Sequence, residues 1–330
     1  MTLDYPIIAI VGLALTFDFL NGFHDSSNIV ATVISSGALP PRAALLLAAA
    51  ANFSGPFLFG VAVASTIGED LVRVQSIDIG VVVAALTAAV LWNFVTWYIG
   101  MPSSSSHALI GGMLGAAIAG DGWGVVMTGG LVKIMVALLI SPPLGLLASY
   151  LVMRLTLLSV RRAPPSINTI FRRLQIATLV GLGLSHGTND GQKTMGVITL
   201  GLVTAGLLPE FHVPTWVIAI SASAIALGTS FGGWRIIRTL GGKMFRVRPI
   251  HGFASQVGGA AVIMSAALLG GPVSTTQVMS SAIMGAGAAE RINMVRWTVL
   301  RDMVVAWLLT IPLSGLVAAL AVLLLRSLTR

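Results

Sequence analysis

The chain has 330 residues, 56% of them hydrophobic and 9% charged, with a net charge of +8 and no cysteine. A soluble domain carries about 25% charged residues, so a large water-soluble helical core, which needs charged outer faces, is excluded; the missing thiols exclude disulfides and thiolate metal sites. The basic residues fall in breaks between long apolar runs, the pattern by which multi-pass helical membrane proteins mark cytoplasmic loops, and not a nucleic-acid footprint.

The start of the chain, Met1 to Pro6, lacks a basic n-region, and no cleavable leader is expected. The first apolar segment runs from Tyr5 to Ser36 and is interrupted by the polar stretch 21–28, Asn-Gly-Phe-His-Asp-Ser-Ser-Asn. On a continuous helix Asp18, Asn21, Asp25 and Asn28 share one face. Gly22 and the pair Ser26-Ser27 favour local unwinding, which would free backbone carbonyls for a cation; the plainer reading is a kink with satisfied polar groups. Pro40-Pro41 ends this segment, a second runs from Ala43 to Ile67, the break 68–78 reads as a solvated loop, and a third segment spans Ile79 to Ile99.

Met101-Pro-Ser-Ser-Ser-Ser-His107 then opens a small-residue stretch to Ala119. Residues 102–119 are short for a crossing, which needs about 20 residues, so a re-entrant hairpin is expected. Its tip would offer backbone N–H groups and hydroxyls to an anion; an ordinary polar loop is the alternative. A long apolar segment, Val125 to Met153, contains Lys133 and Pro142-Pro143. The most basic stretch follows, with Arg154, Arg161, Arg162, Arg172 and Arg173, and reads as a cytoplasmic connector. A second basic break holds Arg235, Arg238, Lys243, Arg246 and Arg248, two expected crossings further on.

These features recur. His186-Gly-Thr-Asn-Asp190 repeats the first polar stretch, with Gly187 and Asp190 both 165 residues beyond Gly22 and Asp25. Gly271-Pro-Val-Ser-Thr-Thr-Gln277 repeats residues 101–107 at an offset of 170. The long segment Trp297 to Leu325 repeats Val125 to Met153. The chain therefore divides into a first transmembrane repeat, 1–153, a connector, 154–173, and a second repeat, 174–330. A carboxylate inside hydrocarbon costs about 3 kcal/mol on insertion scales unless paired, solvated or ion-bound, so two at equivalent places suggest one composite site. Counting four crossings and a hairpin per half gives parallel repeats; inverted repeats need an odd count, met if the first segment turns back or a final segment makes an extra pass.

Taken together, Gly22-Phe-His-Asp-Ser-Ser-Asn28, His186 to Asp190, Pro102 to His107 and Pro272 to Gln277 resemble the inorganic phosphate transporter (PiT) family over nearly the whole chain. The resemblance implies an all-α polytopic bundle of two inverted repeats, each with interrupted helices and a re-entrant hairpin. It implies a secondary active transporter, not an enzyme, that sits in the plasma membrane and imports phosphate with a proton or sodium ion. Two departures stand out: His24 replaces the family's usual Asn, and Lys193 stands where the first half has Asn28. His24, with Lys193 nearby in the alignment, favours protons over sodium.

Phosphate needs donors and compensating positive charge in a low-dielectric setting. Ser104, Ser105, Ser106, Ser274, Thr275, Thr276, Gln277 and Lys193 are the candidate substrate-binding residues, helped by the N-termini of the hairpin helices. Asp25, Asn28, Asn189 and Asp190 are the candidate cation ligands, with the two aspartates as metal ligands if the ion is sodium. His24 and His186 are candidate proton relays, because histidine titrates near neutral pH, and His107 is a weaker one. Lys193 also has the plainer reading of an ion pair with an aspartate. No cofactor is expected, and the sequence holds no nucleotide motif and nothing that resembles a nucleophile–base pair. The partners are phosphate, the coupling cation and the lipid bilayer, and a homodimer is one arrangement open to the chain. A sulfate permease of the same fold and an ion channel are the rival functions.

Overall fold

A computed structural model describes residues 5–73 and 77–328. Residues 1–4, on which the expected absence of a leader rests, and the side chain of Lys243 lie outside that description. The helices are α1 (Tyr5–Ser35), α2 (Pro41–Phe59), α3 (Ala62–Gly68), α4 (Ile79–Ile99), α5 (Ser105–Asp121) and α6 (Thr128–Ser159) in the first half. The second half holds α7 (Ile167–Thr204), α8 (Thr215–Phe231), α9 (Trp234–Arg238), α10 (Pro249–Leu268), α11 (Thr275–Glu290) and α12 (Trp297–Leu328). Among the described residues six helices are long and apolar enough to cross a membrane, and α8 with its continuation through α9 makes a seventh with a bend of 57°. The protein is an all-helical, multi-pass membrane protein.

The polar stretch 21–28 does not unwind. α1 is continuous from Tyr5 to Ser35, and α7 is continuous through its equivalent. The hydroxyls of Ser26 and Ser27 donate to the carbonyls of Phe23 and His24 within the helix, so no backbone carbonyl is freed there. The interruptions lie instead in the neighbouring helices, at Gly60 between α2 and α3 and at Gly232 between α8 and α9, both with positive φ. Broken backbone at membrane depth must find new partners, and the motif helices supply them. The Gln192 amide of α7 accepts from Val63 N at 2.8 Å and donates to Gly60 O, while Ser26 of α1 accepts from Gly233 N at 2.9 Å.

The hairpin expected within 102–119 is larger, and the third apolar segment is its first arm. α4 and α5 are joined by the turn 100–104, with Gly100 in the left-handed conformation as the C-cap of α4. Their far ends lie together: Arg326 bridges Asp78 before α4 and Asp121 at the end of α5, at 2.6 and 2.9 Å. Val72 and Val126, outside the two ends, form an antiparallel bridge. α10 and α11 repeat this, with Glu290 at the end of α11 paired to Arg248 and to His251, and Arg296 N donating to Met244 O at 3.1 Å. The long helices α6 and α12 are unbroken through Pro142-Pro143 and Pro312, so neither makes an extra pass. Seven residues, 160–166, separate α6 from α7; Arg154, Arg172 and Arg173 of the expected connector are helical.

The halves interlock. α1 packs on α8 as α7 packs on α2, and α5 packs on α12 as α11 packs on α6. α1 and α7 run antiparallel: Ile10 lies against Gly201, and Asp18 bonds Thr194. One apolar core holds Ile7, Ile10 and Phe17 from the start of α1, and a second holds Ile29, Val30 and Val33 from its end. The polar stretches sit between the two cores. Leucines such as Leu139, Leu147, Leu308 and Leu320 of α6 and α12 are exposed outward, as lipid-facing surfaces require.

Both motif glycines are contact points. A Cβ on Gly22 would stand 2.0 Å from Ile225 O, and one on Gly187 2.0 Å from Asn52 O. Gly22→Ala or Gly187→Ala should therefore force helices apart, at the about 1–3 kcal/mol typical of overpacking, and lower the thermal midpoint in detergent. Gly12→Ala, with nothing within 4 Å, should hold or raise the midpoint, since Ala favours a helix by about 1 kcal/mol over Gly. Equal behaviour of all three would remove the close approach as the reason for glycine.

Candidate functional site

Four elements converge between the two cores. α1 and α7 bring the aspartates, and the turns ahead of α5 and α11 bring the hydroxyls. Every candidate side chain is buried, from 0% for Asp190 and Lys193 to 6% for His107.

Asp25 and Asp190 meet through one hydroxyl. Thr275 Oγ1 stands 2.7 Å from Asp190 Oδ2 and 3.4 Å from Asp25 Oδ2. Thr276 donates to Asp25 Oδ1 at 3.0 Å, and Ser105 to Asp25 Oδ2 at 3.3 Å. His24 Nδ1 lies 2.6 Å from Asp25 Oδ1. His186 Nε2 stands 3.0 Å from Asp190 Oδ2, close but out of line for a hydrogen bond. Asp25, His186 and Asp190 each offer a ligand atom, and these lie within 4.8 Å of one another, a spacing that suits one bound cation.

The two tips also touch each other. Ser106 donates to Val273 O at 2.9 Å, and the Gln277 amide lies 3.3 Å from His107 Nδ1. Asn28 donates to Thr276 at 3.0 Å. Asn189 spans the second tip, donating to Gly271 O at 3.1 Å and accepting from Val273 N at 3.2 Å. Lys193 donates to Asp190, to Ser106 Oγ at 2.6 Å and to Val273 O at 2.9 Å.

Two of the candidate substrate hydroxyls serve as helix caps. Ser104 Oγ accepts from His107 N at 3.1 Å, and Ser274 Oγ accepts from Gln277 N at 3.4 Å. Their residue type is what an N-cap selects. Asn189 bonds only the backbone of the second tip, so it shapes the turn in this conformation. Ser105, Ser106, Thr275, Thr276, Lys193, Asp25, Asn28 and Asp190 form one connected network, with His24 and His186 at its two ends.

Sequence reasoning missed Asn52 of α2, whose amide donates to Thr229 at 2.9 Å and whose carbonyl lies 3.0 Å from His186 Nδ1. A lone Asn in an apolar run is the signal that could have found it. Sequence reasoning also left Asp18 out of the site, although this buried carboxylate accepts from Thr194 at 2.6 Å.

Comparison with known proteins bears on this arrangement. The family described as "Phosphate transporter family" matches residues 21–166 and 157–318. A protein of Rhizobium meliloti (strain 1021) named "Probable low-affinity inorganic phosphate transporter" is 44% identical over 97% of this chain and 96% of its own length. One of the same name from Bacillus subtilis (strain 168) is 44% identical over 95% of each chain. The solved structure titled "The sodium-dependent phosphate transporter" shares the fold, with a TM-score of 0.88 at 24% identity, over 98% of this chain and 99% of that one. The protein matched here in both halves, with its paired aspartates and paired hairpin tips, belongs to the phosphate transporter family.

Proposed function

We propose that this chain is a secondary active transporter that imports inorganic phosphate together with a monovalent cation, proton or sodium, by alternating access. The observation that carries the reading is the hydroxyl of Thr275, held between Asp190 and Asp25. A hydroxyl has one proton to donate. While the aspartates take the hydroxyl protons of Ser105, Thr275 and Thr276, none is left for an anion. A cation on the carboxylates takes over their compensation and releases those donors. It also offsets the charge of an arriving phosphate, and the N-termini of α5 and α11 add backbone N–H groups and a partial positive charge. Anion binding thus depends on cation binding, which is coupling. His24, within 2.6 Å of Asp25, and His186, within 3.0 Å of Asp190, are the proton acceptors in the proton-coupled form.

We further propose that residues 1–153 and 174–330 are inverted repeats joined by 154–173, in the plasma membrane with the arginine-rich breaks on the cytoplasmic side. Antiparallel α1 and α7 support this, as does the reciprocal packing of the halves. Hairpins that return to their own side leave α1, α2 with α3, and α6 as the passes of the first half, an odd number.

Uptake of labelled phosphate and sulfate into proteoliposomes, with sodium and proton gradients imposed separately, tests the function. Phosphate should accumulate above its equilibrium level under one of the two gradients. Purely downhill movement would make the protein a channel, and sulfate accumulating as well as phosphate would remove the selectivity.

Asp25→Asn and Asp190→Asn should reach the membrane, because removing a buried carboxylate eases insertion. Each should lose accumulation by about tenfold or more, the factor that corresponds to about 1.4 kcal/mol. Wild-type uptake in either variant would remove that carboxylate from coupling.

Thr275→Val keeps shape and deletes the shared hydroxyl. Hydrogen bonds to charged groups are worth about 1.5–3 kcal/mol, so apparent phosphate affinity should fall roughly tenfold to a hundredfold. Ser274→Ala, which removes a cap, should show its loss in thermal stability, at about 1 kcal/mol.

A further inference from the structure

We propose that Lys193 is a built-in coupling cation: its ammonium permanently occupies the cation position of the second half, so that only the Asp25 side takes a mobile ion. The inference rests on the coupled-transport reading and concerns which of its ion positions are filled by the chain itself.

The repeat makes the case. Lys193 lies 165 residues beyond Asn28, as Asp190 lies beyond Asp25. The contacts obey the same relation across the two hairpins. Asn28 bonds Thr276 of the second tip, and Lys193 bonds Ser106 of the first. Ser106 and Thr276 are themselves equivalent at the hairpin offset of 170. The lysine ammonium therefore stands where the first half has a neutral amide.

Its surroundings are those of a bound monovalent cation. Nζ is ringed by a carboxylate oxygen of Asp190, the hydroxyl oxygen of Ser106 and the carbonyl oxygen of Val273. Three oxygens from three chain segments satisfy its three donors, and the side chain is fully buried. A sodium ion held at that point would draw on the same hard oxygen set. With Lys193 in place, the ion is covalently attached and cannot leave with the substrate.

The first half is open by comparison. Asp25 has no ammonium or guanidinium partner among the described ion pairs, only His24. Asn28 Oδ1 and His24 Nε2 are buried without hydrogen-bond partners, as is His186 Nε2 in the second half, but among the described residues no ammonium stands beside Asn28 Oδ1. Asp25, with the free Asn28 Oδ1 on its own helix and His186 across from it, is where a mobile cation would sit. The charges agree: Asp25 and Asp190 contribute two negatives to the shared network and Lys193 one positive. Asp18, hydrogen-bonded to Thr194, makes no hydrogen bond to this network but lies close enough to act on Asp190 and Lys193 electrostatically. One mobile cation then balances the aspartate pair, where a chain with neutral residues at both positions would need two.

Lys193→Asn rebuilds the second half in the image of the first, and the test compares it with wild type in two ways. In detergent, thermal midpoints are measured across a sodium chloride series against choline chloride at matched concentration. The sodium-specific rise should be larger in Lys193→Asn than in wild type, because a ligand that binds the folded state stabilises it. In proteoliposomes with sodium on the outside, the order of phosphate uptake in cation should rise by one, and so should the positive charge moved per phosphate. A variant that folds only when sodium chloride is present supports the proposal equally. An equal or smaller sodium-specific rise in Lys193→Asn, an unchanged cation order, or a variant unfolded in both salts would overturn the proposal and leave Lys193 as a structural ion pair. Failure of wild type itself to accumulate phosphate would sink the transport reading instead, and the melting comparison would still decide this one.

Discussion

Two carboxylates buried in an apolar molecule are the constraint from which the rest of the architecture follows. Asp25 and Asp190 are 1% and 0% exposed, and a charge so placed must be surrounded by donors or cations. No single helix can supply them, since a helix's own backbone donors are used internally. The donors come from the ends of other helices. That requires α5 and α11 to start in the middle of the protein, which in turn requires hairpins that go in and come back. Closing each hairpin at its base, by Arg326 in one case and Glu290 in the other, fixes where the tip stands.

The parts of this plan that depend on residue type and spacing were legible in the sequence. Length and hydropathy give the helices. The recurrence of Gly22 and Asp25 as Gly187 and Asp190 points to two related halves, and a proline just ahead of serines or threonines marks the two tips. Capping chemistry is local, so the ends of α5 and α11 follow from Ser104 and Ser274.

The parts that depend on tertiary partners were not legible. Glycine and serine within 21–28 look like an unwound helix, yet Gly22 is there to let α8 approach and Ser26 to serve the break at Gly232–Gly233. Both are signals of weak helix propensity whose cause lies on another helix. α4 counts as a full crossing in the sequence for a similar reason. It has 21 residues and reads as a crossing by length, and only the Asp78–Arg326–Asp121 bridge reveals that its partner α5 brings the chain back. Residue-by-residue roles were also blurred: four consecutive serines look equivalent, but Ser104 caps a helix, Ser105 reaches Asp25 and Ser106 serves Lys193.

The mutual repair of the two broken helices has a consequence for biogenesis. The break after α2 is completed by Gln192, which the ribosome adds about 130 residues later, and α5 waits for α12 as its packing partner. Until α7 emerges, the first half holds an open backbone break at Gly60, and Asp25 has only His24 and Ser105 beside it. Each half therefore supplies hydrogen bonds and packing partners that the other lacks, and the fold is complete only when both have been made.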